Sequence, residues 1–170
     1  MKITKYRTGL LAAMTMMLCL SAEATTNIDD VEKYAWGENI GWIDFQGNVT
    51  DGVVARTKFL SGYAWSENFG WIYLGNGNPG GSGGTQYTQS TGDTGVNNDG
   101  AGNLSGYAWG ENVGWICFDT TSSGGSHVTI DSAGHFSGYA WGENVGWINM
   151  ATGFGVKANT AAWIGDWMTY

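Results

Sequence analysis

An all-β fold, assembled as a tandem array of four tryptophan-rich hairpin units with a partial fifth, is what this sequence predicts. Three observations predict it. A ten-residue phrase occurs four times, starting at Tyr34, Tyr63, Tyr107 and Tyr139: Tyr-Ala-Trp, then Gly or Ser, Glu-Asn, one apolar residue, and Gly-Trp-Ile. A unit recurring at roughly 30 residues marks a modular array, in which each unit buries its apolar face against its neighbours. Third, glycine reaches 29 residues and aromatics 14%, against only 13% charged residues, a balance that favours strands and tight turns over helices.

The chain opens with Lys2, Lys5 and Arg7, an apolar run from Leu10 to Leu20, and Ala22-Glu23-Ala24. That order reads as a secretory signal peptide over 1–24, and the run is too short for a permanent bilayer span. Export to the periplasm or the extracellular space is expected, with no membrane-spanning segment. Losing Lys2, Lys5, Arg7 and Glu23 takes the formal charge from −8 to −10. Such an acidic chain excludes nucleic acid, whose phosphates call for a basic face. Cys117 is then the sole cysteine of the remaining chain, so no internal disulfide forms.

Residues 25–170 read as a single β-repeat domain. Its units run over about 31–46, 52–74, 96–118 and 128–150, with the partial unit at 155–170. Three copies carry an apolar-Ser-Gly prefix: Leu60-Ser61-Gly62, Leu104-Ser105-Gly106 and Phe136-Ser137-Gly138. The first copy lacks it. Gly155-Val156-Lys157-Ala158 echoes Gly52-Val53-Val54-Ala55, which is why the C-terminus reads as a truncated unit closing the array. Between copies two and three, residues 75–102 are mostly Gly, Asn, Ser and Thr, with Tyr87 as the one large side chain. Composition makes that stretch a flexible loop. The uneven spacing of the copies favours an open, solenoid-like stack over a closed, propeller-like ring.

Within copy two, Trp65 and Trp71 face each other across a hairpin closed by Ser66 to Gly70, with Asn68 and Gly70 expected at the positive-φ positions. Period-two alternation puts Ala64, Ile72 and Leu74 on one face and Tyr63, Trp65, Trp71 and Tyr73 on the other. The residue two after each Ile is Phe45, Leu74, Phe118 or Met150, always apolar. On the tryptophan face the equivalent residues are Asp44, Tyr73, Cys117 and Asn149, a mixture. The Ile face is therefore the core face and the Trp/Tyr face is amphipathic. For the indoles two readings stand: burial between repeats, which the habits of Trp favour, or a row of exposed platforms, which would mark a binding or assembly surface.

The candidate ligand-binding residues are Tyr34, Trp36, Trp42, Tyr63, Trp65, Trp71, Tyr107, Trp109, Trp115, Tyr139, Trp141 and Trp147. The only recurrent polar chemistry is the loop pair Glu38/Asn39, Glu67/Asn68, Glu111/Asn112 and Glu143/Asn144. A structural role is favoured, with Asn in the left-handed turn position and Glu bonding loop amides. The alternative is a carboxylate beside two indoles, placed to bond a sugar hydroxyl. A calcium signal is weak, because one Glu and one Asn fall short of the roughly six to eight oxygens Ca²⁺ takes; no cofactor or metal ligand is assigned.

The phrase resembles a tryptophan-rich Gly-Tyr-Ala-Trp-x-Glu-Asn-x-Gly-Trp-Ile repeat of exported bacterial proteins with no assigned activity. The resemblance implies an exported repeat protein and brings no catalytic residues with it. A glycosidase needs two carboxylates in different roles, whereas four equivalent Glu residues sit in four equivalent loops. The expectation is a secreted, non-enzymatic protein that binds an extended polymer, above all a polysaccharide, through its Trp/Tyr faces. The alternative is a structural cell-surface or matrix protein that binds copies of itself.

Overall fold

Each repeated phrase folds as one hairpin. The computed structural model describes residues 26–48 and 50–159; the signal-peptide reading and the tryptophans at 163 and 167 lie outside them. The four hairpins pair β1 (Tyr34–Gly37) with β2 (Gly41–Asp44), β4 (Leu60–Ser66) with β5 (Gly70–Gly75), β7 (Leu104–Gly110) with β8 (Gly114–Cys117), and β11 (Tyr139–Gly142) with β12 (Gly146–Asn149). In every hairpin the two tryptophans are register partners, as the alternation predicts: Trp36↔Trp42, Trp65↔Trp71, Trp109↔Trp115 and Trp141↔Trp147.

The turn is tighter than five residues. Glu38-Asn39-Ile40 joins β1 to β2, with the Ile40 amide donating to Gly37 O at 3.3 Å and Gly41 in the left-handed region at φ +77°. Three residues thus join the strands under one turn bond, followed by a glycine in the left-handed region. Gly70, Gly114 and Gly146 repeat it. The left-handed position thus belongs to glycine, and the expectation that Asn would occupy it is corrected.

The array is a closed ring, not an open stack. Adjacent units join by the same antiparallel register at all four seams: Ile43↔Ser66, Ile72↔Gly110, Ile116↔Gly142 and Ile148↔Gly37. The last seam bonds β12 back to β1, so eight strands form a barrel with no free edge. Closure satisfies the backbone groups that an open sheet of four hairpins would leave bare at each end. Uneven spacing was a poor guide, because the seams use only the ten-residue phrase and the one residue that follows it. Connections of any length hang from one end of the barrel.

Those connections build a second tier below the barrel. It contains β3 (Val54–Ala55), β6 (Val96–Asn98), β9 (Thr129–Ile130) and β10 (Phe136–Ser137). Bridges Phe59↔Asn97, Asn103↔Thr129, His135↔Lys157 and Ile28↔Ala158 carry it round from unit to unit. Of the partial unit, residues 155–159 are described, and they pair with the start of the domain; the Asn159 amide donates to Asn27 O at 2.7 Å. The 75–102 segment buries more than its composition promises. Tyr87 is 3% exposed, its hydroxyl donating to Leu60 O at 3.1 Å and accepting from the Gly77 amide at 2.9 Å.

Inside the barrel every first strand contributes an alanine (Ala35, Ala64, Ala108, Ala140) and every second strand an isoleucine (Ile43, Ile72, Ile116, Ile148), all buried. Alternating small and large residues fill an interior of eight strands, which is just wide enough for side chains. Phe45, Leu74, Phe118 and Met150 plug the same space, leaving a void of about 10 Å³. Nothing larger than a water fits there. The barrel interior is a packed core with no room for a ligand.

Candidate functional site

The outer wall carries the aromatic residues. All eight tryptophans of the hairpins are between 36% and 50% exposed, and Tyr63, Tyr107 and Tyr139 are exposed with them; Tyr34 is half-buried. Burial of the indoles between repeats, the reading that the habits of Trp favour, is therefore not what the fold does. The reason lies in the pleat: once Ile points into the barrel, its neighbours in sequence must point out.

The indoles are ordered against one another. Trp36–Trp42, Trp65–Trp71 and Trp109–Trp115 have ring centroids 4.8, 4.7 and 4.6 Å apart, at steep interplanar angles. Each second-strand tryptophan also meets the tyrosine of its own unit at 6.0–6.3 Å. Edge-to-face packing of this kind adds roughly 0.5–1.5 kcal/mol per pair beyond area burial. It also fixes the rings before anything binds, which lowers the entropy cost of binding.

Between units the wall is grooved. At each seam the first-strand tryptophan of one unit stands opposite the variable residue of the previous unit: Trp65↔Asp44, Trp109↔Tyr73, Trp141↔Cys117 and Trp36↔Asn149. The groove between units one and two brings Tyr34, Trp42, Trp65 and Glu67 together over about 720 Å³. Between units two and three, Tyr63, Trp71, Trp109 and Glu111 line about 990 Å³, and between units four and one, Tyr139, Trp147, Trp36 and Glu38 line about 500 Å³. These volumes fall in the range of small-ligand sites, about 300–1,000 Å³. By register, Tyr107, Trp115, Trp141 and Glu143 stand at the remaining seam.

The grooves share walls and differ in their floors. Asp44 is held by Lys33 at 3.1 Å. Burial works against the Lys33 charge, but the bond to Asp44, the Asp44 charge and Tyr34 together outweigh it and hold the ammonium above its usual range. Tyr73 is pushed up by burial and by neighbouring Tyr63. Cys117 donates its thiol to Asp119 O at 2.9 Å, and Asn149 accepts from the Ala151 amide at 2.9 Å. Sequence reasoning noted this mixed position without seeing that it forms the seam; the signal was one variable residue on an otherwise constant face.

The Glu-Asn pair divides its work. Each asparagine reaches into the neighbouring unit and donates to its turn carbonyl: Asn68 to Ile40 O at 3.1 Å, Asn112 to Phe69 O at 3.0 Å, Asn144 to Val113 O at 3.2 Å, and Asn39 to Val145 O at 3.4 Å. Four amides thus clasp the loop end of the ring. The glutamates were expected to bond loop amides and do not. Glu38, Glu67, Glu111 and Glu143 are exposed and make no hydrogen bond or ion pair among the described residues.

Among the described residues no group of three or more His, Cys, Asp or Glu gathers as metal ligands, and no helix is long and apolar enough to cross a membrane. His127 and His135 belong to the second tier, 3.4 Å from Asp119 and Asp131 respectively. No family model, curated protein or solved structure matches the chain.

Proposed function

We propose that this protein is an exported, non-catalytic glycan-binding protein whose four wall grooves each hold a stretch of an extended polysaccharide. The observation that carries this reading is the outward exposure of all eight hairpin tryptophans, three of the pairs packed ring against ring, beside carboxylates without a bonded partner among the described residues. A contiguous exposed aromatic surface marks a binding site. The apolar C–H face of a sugar ring matches an indole face, and its hydroxyls match Glu38, Glu67, Glu111 and Glu143. Four repeats of one groove gain avidity on a polymer that repeats as well. Because the grooves face outward around a ring, they suit cross-linking of several strands better than tracking along one.

Pull-down of the purified protein on insoluble polysaccharides, with tryptophan fluorescence titration of soluble oligosaccharides, tests the reading. Binding lost stepwise as Trp42, Trp71, Trp115 and Trp147 are changed to Ala supports it. Absence of binding to any glycan, with concentration-dependent growth of light scattering that the same changes abolish, replaces it with self-assembly. The continuous aromatic belt is the observation that favours this second reading.

A further inference from the structure

The charges around the grooves narrow the glycan class, given the glycan-binding reading above. The described residues include four cations, and their positions are specific. Lys33 is spent on Asp44 at 3.1 Å, Lys157 pairs with Glu32 at 3.2 Å, and Lys58 donates to Asp99 O at 3.3 Å. Arg56 lies over the Phe59 ring, 5.8 Å from its centroid, at the second-tier end of one groove. Among the described residues the four loop-end glutamates make no ion pair and stand beside indole faces, with Arg56 lining the wall of one groove, that of Glu111.

An acidic glycan would meet repulsion from four glutamates on a chain of net charge −8. A neutral one would leave the carboxylates with hydroxyl bonds only. A protonated amine uses both parts of the site: the carboxylate attracts it directly, and the indole face attracts it through the ring quadrupole. We infer that the grooves are built for a cationic amino sugar, a polymer of 2-amino-2-deoxyhexose with free amines, the sugar ring on tryptophan and the ammonium on glutamate.

Calorimetric titration of the full chain with a glucosamine hexamer and with its fully N-acetylated counterpart, in mildly acidic low-salt buffer, tests this. The free-amine oligomer is expected to bind about tenfold more tightly, from an exposed ion pair plus a cation–π contact. Changing Glu38, Glu67, Glu111 and Glu143 together to Gln, whose amide oxygen still accepts from a sugar hydroxyl, should weaken the free-amine oligomer about threefold more than the acetylated one. Those side chains are exposed and unbonded, so the fold should survive; circular dichroism checks it. Trp42, Trp71, Trp115 and Trp147 to Ala, which keeps every carboxylate, should weaken both oligomers. Equal binding of the two oligomers overturns the amino-sugar assignment while leaving glycan binding intact. A preference that keeps its full size in the Gln variant, or binding that ignores the Trp variant, is non-specific attraction to an acidic protein and overturns it too. Binding of neither oligomer nor of any other glycan overturns both readings.

Discussion

Ile72 and Trp71 are neighbours in sequence and have opposite fates, one sealed inside the barrel and the other 45% exposed on its wall. Emptying the interior site should be the more damaging change. Ile72→Ala or Ile148→Ala is expected to cost about 2–5 kcal/mol in urea unfolding. Trp65→Ala should cost less, since a third of that ring is already in water, and acrylamide should quench much of the native fluorescence. Negligible quenching, or unfolding by Trp65→Ala alone, would put the indoles in the core. Crowding at the turn gives a second test. A Cβ on Gly110 would sit 2.5 Å from Val113 Cγ2 and 3.1 Å from Trp71 O. Gly110→Ser is therefore expected to destabilise by about 1–3 kcal/mol, the usual cost of overpacking. The one natural serine here, Ser66, coincides with Phe69, the one turn residue only partly buried. At this scale the sequence was readable: period-two alternation identified the Ile face because it depends on nothing beyond the strand itself. The asparagines were misread because their partners lie in another unit.

At the level of elements, the 75–102 segment is where composition was least informative. One tyrosine among small polar residues looks like nothing to bury, yet Tyr87 docks its ring by Phe59 at 5.6 Å and bonds two backbone groups. Replacing residues 76–101 by a short Gly-Ser link should lower Tm by several degrees, and Tyr87→Phe should cost about 0.5–1.5 kcal/mol. The same residue predicts an alkaline limit. Burial, opposed by the Gly77 amide, pushes the Tyr87 phenol up from 10.0 to about 12. The folded state thus favours the neutral phenol. Its contribution is complete below pH 10 and disappears as pH rises through about 12. Unfolding followed between pH 9 and 12 should fall less steeply for Tyr87→Phe than for the native chain. The amide clasp is the other element-level device. Asn112→Ala should cost about 0.5–1 kcal/mol, and Asn112→Asp more, because it turns a carboxylate toward the Phe69 carbonyl; equal stability of the two variants would count against the clasp.

Over the whole molecule, closure decides how stability is shared. In an open stack each unit touches only its neighbours, so removing a terminal unit leaves the others folded. Here unit four bonds both unit three and unit one. Deleting residues 128–159 exposes two strand edges and opens the core, and cooperative loss of the whole barrel is expected by circular dichroism. A remainder that melts as a smaller folded array would argue for an open stack. Closure left no mark that periodicity could read. It depends on the last hairpin meeting the first across residues far apart in sequence, and the uneven connections that argued against it take no part in the seams.

The identical register of the four seams has a consequence for ancestry and for engineering. A half-chain holding units one and two has one free edge of each kind, β1 and β5. In the intact ring those edges meet strands of the same two kinds, through Ile72↔Gly110 and Ile148↔Gly37. Two such halves can therefore bond Ile72 of one to Gly37 of the other, twice, about a two-fold axis. A symmetric homodimer of half-length chains is thus a complete barrel, and the present single chain is what gene duplication and fusion of such a dimer would leave behind.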